Sequence, residues 1–221
     1  MARQVRSEAT RRKLLDAAID LFGEVGYVAA GRTGIIERAG VTKGALYHHF
    51  GSMDSLVVAI IESGFATVRS TFTSMCQPTA PALEGMIHGL FAVTELLATD
   101  KEARAAGHLV FALAESNKVA TDVCSRWLQE LAVQARRAIA EGDLRADLDP
   151  EVIGESVLTA MLGTWLLSQS SERDGITRLT RMWEMLLPAM VDEDSLPYFR
   201  EFLGREALRY QRDSSVADGD E

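Results

Sequence analysis

Cysteine and histidine are scarce in this 221-residue chain, and their placement excludes several classes of chemistry. The two cysteines, Cys76 and Cys124, stand far apart with no CxxC or Cys/His spacing. A zinc site or disulfide framework is therefore not expected, and two buried free thiols are. The four histidines, His48, His49, His88 and His108, make no site with them, and no GxSxG, P-loop, GxGxxG or HExxH string occurs. His48 and His49 are neighbours, about 100° apart on a helix, so they do not share a metal easily. Neither an enzyme nor a cofactor is expected. No apolar run reaches the roughly 18 to 20 residues that cross a bilayer. The opening MARQVRSEATRRK lacks the apolar stretch of a secretion signal. The expectation is a cytoplasmic protein with no membrane partner. Alternating β-branched runs are also missing, which removes a sheet from consideration.

What is present is a helical period almost throughout, so the fold class expected is all-α. Formal charge is −9, but it is unevenly spread. Through Phe50 there are eight basic residues against five acidic ones; beyond it there are fifteen against twenty-seven. One end is basic and the remainder is acidic.

In the basic end, a first helix is expected from Ser7 to Glu24, with Leu14, Ala17, Ala18, Leu21 and Phe22 as its apolar stripe. A second spans Arg32 to Arg38, closed by Gly40. A third starts at Thr42, whose hydroxyl caps Gly44 or Ala45, and ends near Phe50 and Gly51. Two short helices joined by AGVT match a helix-turn-helix, with Val41 between them. Leu46 and Phe50 read as core. Ser52 caps a longer linking helix to about Ser74, after which CQPTAP breaks the chain. Helices are then expected at 82–99, 101–116, 120–141, 150–171, 177–192 and 196–212. The acidic tail 213–221 reads as disordered. The division expected is a helix-turn-helix head, 1–51, of the kind that binds DNA, and a helical body, 52–212.

The string GVTKGALYHHF resembles the recognition helix of TetR-family transcriptional regulators, and LLDAAIDLFGEVGY resembles that family's first helix. Within the family, MARQVRSEATR, RAAGHL (Arg104–Leu109), Trp127, LGTWL and MWEMLLPAM are similar to the γ-butyrolactone receptors of actinomycetes. The resemblance implies a homodimeric repressor on a palindromic operator in double-stranded DNA, released by a small-molecule effector, with Trp127 in the effector pocket. Family members usually carry Lys where Met53 stands and Thr-Thr where Ala30 and Gly31 stand. The lactone receptors often have Gln at Gly64.

Outward positions of the third helix are candidates for the major groove. Lys43 suits guanine O6/N7, Gly44 permits close approach, and the Ala45 methyl suits a thymine methyl. Tyr47 and His48 suit phosphates, and Thr42 sits at the helix start. Arg3, Arg6, Arg11 and Arg12 form a basic arm for backbone or minor groove, with Arg32 counted on the same surface. In the body, Trp127 offers a flat wall with an N–H handle. Phe91, Phe111, Met161 and Trp165 are candidate lining, and Thr164, His108, Gln169 and Arg104 candidate polar groups. For the dimer seam the apolar late helices are candidates, with Gly154 and Gly163 permitting close approach and Met182 or Trp183 filling it.

Overall fold

In the computed structural model, the described residues are 2–168 and 175–217, with side chains described for 4–168 and 175–211. Ten helices appear among them: α1 (Ala2–Val25), α2 (Arg32–Ala39), α3 (Lys43–Phe50), α4 (Met53–Met75), α5 (Ala82–Thr99), α6 (Lys101–Leu113), α7 (Lys118–Glu141), α8 (Pro150–Ser168), α9 (Gly175–Met190) and α10 (Leu196–Ala217). The only strand-like pairing among the described residues is one antiparallel bridge between Leu144 and Val191. The all-α expectation holds. Helix α1 begins five residues before Ser7, so Ser7 lies inside it and caps nothing. Helix α6 stops at Leu113, and α7 starts at Lys118, where the Asn117 side chain accepts from the amides of Val119 and Ala120. Helix α10 continues to Ala217, into the tail read as disordered.

The chain forms two compact units: Met1–Thr67 with Thr99–Val123, and Val68–Ala98 with Cys124–Glu221. These divide the chain elsewhere than after residue 51, because α6 packs on α1 and joins the first unit.

In the first unit, Leu14, Leu15, Ala18, Ile19 and Phe22 of α1 are buried with Ile35 of α2 and Leu46 of α3. Arg12 bonds Asp16 and Glu102 at 3.0 and 3.1 Å, and Lys101 bonds Asp20 at 2.9 Å, so ion pairs tie α1 to α6. Such exposed pairs contribute little beside the packing. The closest approach is at Gly64 of α4. A Cβ there would stand 2.5 Å from the Ala106 Cβ and 2.8 Å from the Glu102 carbonyl oxygen. Glycine is what lets α4 and α6 touch backbone to backbone, and no glutamine fits without displacing a helix.

In the second unit, α5 is buried on most of its circumference, from Leu83 to Leu97. By length and composition α4 and α5 could each cross a membrane, but α5 is instead largely covered by protein. Gly89 of α5 lies against Phe72 of α4, whose ring would be 2.7 Å from an added Cβ. The α4–α5 connection is pinned from α7. Arg137 Nη2 donates to the carbonyls of Ala80 at 3.0 Å and of Gln77 and Pro78 at 3.4 Å. Glu141 accepts from the same guanidinium at 3.2 Å and from the amide of Ala82 at 2.6 Å, satisfying a donor at the start of α5. Gly154 of α8 meets α7, where its Cβ would lie 3.0 Å from the amide nitrogen of Ala132.

Replacing Gly64 with alanine is expected to destabilise the protein by about 1–3 kcal/mol through overpacking. Denaturant unfolding of the variant checks this, and a loss below experimental error would refute the close approach.

Candidate functional site

Two local devices build the short-helix pair. Gly40 adopts the left-handed conformation (φ 62°), its N–H donating to the Glu37 carbonyl while Val41 N–H donates to that of Ile36. This pair of bonds closes α2 and suits glycine because a Cβ is disfavoured at that φ. Thr42 is extended (φ −83°, ψ 156°), and its hydroxyl oxygen accepts from Ala45 N at 3.2 Å, which opens α3. At the start of α2, Gly31 offers no side-chain cap.

Helix α3 is divided by face. Leu46 and Phe50 are buried, while Lys43, Gly44, Tyr47 and His48 are exposed and Ala45 is half-buried. The Lys43 ammonium lies 5.9 Å from the Tyr47 ring centroid, and Arg32 at the start of α2 donates through Nη1 to the Tyr47 hydroxyl. The Arg11 guanidinium stands 5.1 Å from the Phe50 ring centroid. Burial, with His48 and Arg11 nearby, holds His49 below the usual imidazole range and so favours its neutral form.

Of the basic arm, Arg11 lies on α1 as the helix expected from Ser7 implies, Arg6 joins the same helix because α1 begins at Ala2, and the side chain of Arg3 lies outside the described residues. Helix formation continues to Ala2 because nothing in ARQVRSE breaks it. Arg12 is engaged by Asp16 and Glu102, and Arg38 by Glu24 at 2.8 Å, so their charges are compensated within the protein.

The candidate effector residues fall into separate units. Phe91, Trp127, Met161 and Trp165 are buried in the second, and Thr164 is half-buried there. The Trp127 and Phe72 rings meet edge to face, 5.0 Å between centroids, and Phe91 lies 5.6 Å from Tyr210. Phe72 and Tyr210 escaped the sequence reading, although Phe72 continues the Phe65–Val68 stripe of α4. His108 and Phe111 sit on α6 in the first unit. Phe111 is 54% exposed, which corrects its assignment to an interior lining: Leu109 and Val110 take the inward positions of that turn. Gln169 lies outside the described residues. Both cysteines are free and half-buried; burial raises the Cys124 thiol, and burial with Glu130 nearby pushes Cys76 up to about 12, which disfavours the thiolate form of each.

The seam candidates also divide. Trp183 is fully buried, on the inward stripe Ile176, Leu179, Trp183, Leu187 and Met190 of α9, so it belongs to the core of its own chain. Gly154 serves the α7–α8 approach. Gly163 is open, with nothing within 4 Å of an added Cβ. The outward face of α9 instead presents Met185, 78% exposed, and that of α8 presents Val152, Leu162, Leu166 and Leu167.

Residues 14–60 match the model of the tetR family of bacterial regulatory proteins, and residues 80–192 match the tetracyclin repressor-like C-terminal domain. The A-factor receptor protein of Streptomyces griseus is 29% identical over 192 residues, covering 86% of this chain and 67% of that protein. The regulator SrpR of Pseudomonas putida is 26% identical, over 84% and 90% respectively. A crystal structure of a gamma-butyrolactone receptor described as ArpA-like superposes with TM-score 0.79 at 25% identity, covering 92% of this chain and 99% of that one. CprB from Streptomyces coelicolor, solved in complex with its operator, gives TM-score 0.76 at 26% identity over 92% and 99%. These relatives are regulators rather than enzymes. With both of the family's domain models matched in order along it, this chain belongs to the TetR family of transcriptional regulators.

Proposed function

We propose that the protein is a dimeric repressor that binds a palindromic operator through α3 and leaves it when a small, mostly neutral effector of the γ-butyrolactone type enters the body. The observation that carries the DNA half is the division of α3 by face: Leu46 and Phe50 anchor it, and Lys43, Gly44, Tyr47 and His48 are left for a groove. Lys43 bonds a guanine edge, Gly44 and Ala45 allow the helix in close, and Tyr47 and His48 take phosphates. Thr42 fixes the start of the helix through its cap. Arg3, Arg6 and Arg11 add positive charge beside the helix, where each neutralised phosphate releases counterions, and Arg32 lies at the Tyr47 hydroxyl.

Dimerisation supplies the second half-site, because a two-fold axis matches a palindrome. Its seam is the outward face of α8 and α9. Val152, Glu155, Thr159, Leu162 and Leu166 recur at alternating spacings of three and four, which sets them on one stripe, and all are exposed. Exposed Val152, Leu162 and Leu166 on that stripe, with Leu167 beside it and Met185 on α9, form the kind of apolar surface that marks an interaction site.

The effector half rests on Trp127 and on the names of the relatives, which are receptors for A-factor and γ-butyrolactones. Trp127, Phe91, Met161 and Trp165 supply apolar surface, and Thr164 a polar handle for a carbonyl or hydroxyl. Trp127 packs on Phe72, which belongs to α4, the helix that follows α3 directly. An effector that shifts Trp127 therefore acts on the helix that follows the recognition element in the chain. Coupling of ~1–3 kcal/mol changes operator occupancy by roughly 5- to 150-fold.

Selection from a random duplex library is expected to return a palindrome, with affinity falling steeply between 50 and 200 mM salt. Lys43→Ala should cost about 1–3 kcal/mol and relax preference at one base pair per half-site. Recovery of no preferred sequence by the wild-type dimer would refute the DNA reading. Leu166→Glu with Met185→Glu should yield monomers in sedimentation, and an unchanged dimer would move the seam elsewhere. A synthetic alkyl γ-butyrolactone should raise the melting temperature and displace the selected duplex, by linkage. The effector class is wrong if such lactones, at concentrations that saturate a control receptor, change neither quantity.

A further inference from the structure

Resting on the reading of α3 as the DNA-contacting helix, we propose that Arg32 is a positioning residue that readies the Tyr47 hydroxyl to donate to a DNA phosphate. Arg32 is the first residue of α2, and its Nη1 donates to the Tyr47 oxygen across the turn between the two helices. A guanidinium has five donors and no acceptor, so it can occupy only a lone pair of that oxygen. The single O–H proton of Tyr47 is left for another partner. A hydroxyl that accepts from a cation becomes a stronger donor itself, because hydrogen bonds in a chain polarise one another.

The partner that suits this arrangement is one that only accepts and carries negative charge. Phosphate oxygens do both. The charge around the hydroxyl favours such a partner. Lys43 stands over the ring of Tyr47, 5.9 Å from its centroid. Among the described residues neither Arg32 nor Lys43 is engaged by a carboxylate, whereas Arg12, Arg38 and Lys101 of the same unit all are. In a chain with a net charge of −9, two cations without a carboxylate flank one exposed hydroxyl.

Orientation follows from the same contacts. Tyr47 has two rotatable side-chain bonds, and a hydrogen bond at its tip with a cation on its face restricts both before DNA arrives. Binding then loses less side-chain freedom. Arg32 acts through Tyr47 in this scheme, so the two residues form one functional unit and their removals should not add.

The test uses full-length wild type, Arg32→Ala, Arg32→Lys, Tyr47→Phe and the Arg32→Ala/Tyr47→Phe double variant. Fluorescence anisotropy measures their affinity for the duplex that wild type selects from a random library and for a random-sequence duplex of equal length. Each single variant is expected to weaken the selected duplex roughly tenfold. The double variant should be no weaker than either. The random duplex should weaken by the same factor, since phosphate contacts carry no sequence information. Arg32→Lys should recover part of the loss, and circular dichroism melting curves should stay superimposable. Losses that multiply would show that Arg32 reaches DNA on its own and would overturn the assignment. So would an unaffected Arg32→Ala protein, or a loss confined to the selected duplex. Failure of wild type to select any duplex would instead sink the repressor reading, and this inference with it.

Discussion

The inward anchoring of α3 by Leu46 and Phe50 is the constraint on which the rest of the head depends. An eight-residue helix is too short to be stable alone, since nucleation is costly and few hydrogen bonds follow it. Its existence here requires burial of one face, a Thr42 cap at one end and Gly40 and Gly51 turns on either side. Burial of one face fixes the other. Lys43, Gly44, Tyr47 and His48 are outward because Leu46 and Phe50, four residues apart, are inward.

Charge is organised around that face by pairing as much as by composition. The first unit contains many arginines and lysines, yet those along the α1–α6 and α1–α2 contacts are spent on carboxylates. Arg32 and Lys43 are turned instead to the Tyr47 side chain. Under the function proposed above, an acidic body with cations gathered at α3 keeps nonspecific attraction to DNA low while leaving attraction at that helix. A uniformly basic protein of the same size would bind any duplex.

In the second unit, order comes from two kinds of contact. Glycines at 89 and 154 permit helices to approach at distances no larger residue allows. Arg137 and Glu141 supply hydrogen bonds to backbone groups of the α4–α5 connection that would otherwise have no helical partner. The consequence is a defined end to α4, the helix in which Phe72 meets Trp127.

Helical periodicity, the Gly40 turn, the Thr42 cap and the GVTKGALYHHF string were enough to determine the fold class, the helix-turn-helix and its outward residues, because each is local and rests on spacing or on one residue's backbone preference. Tertiary packing decided the rest. Phe111 and Trp183 are both large aromatics on helices, and only neighbouring helices determine that one is exposed and the other sealed. Gly64 read as a missing polar group, and became the point where α4 meets α6. The partnership of Arg32 with Tyr47, fifteen residues apart, depends on the angle between two helices. Spacing along one helix fixes a face; which groups meet across elements depends on packing between them, which no local pattern encodes.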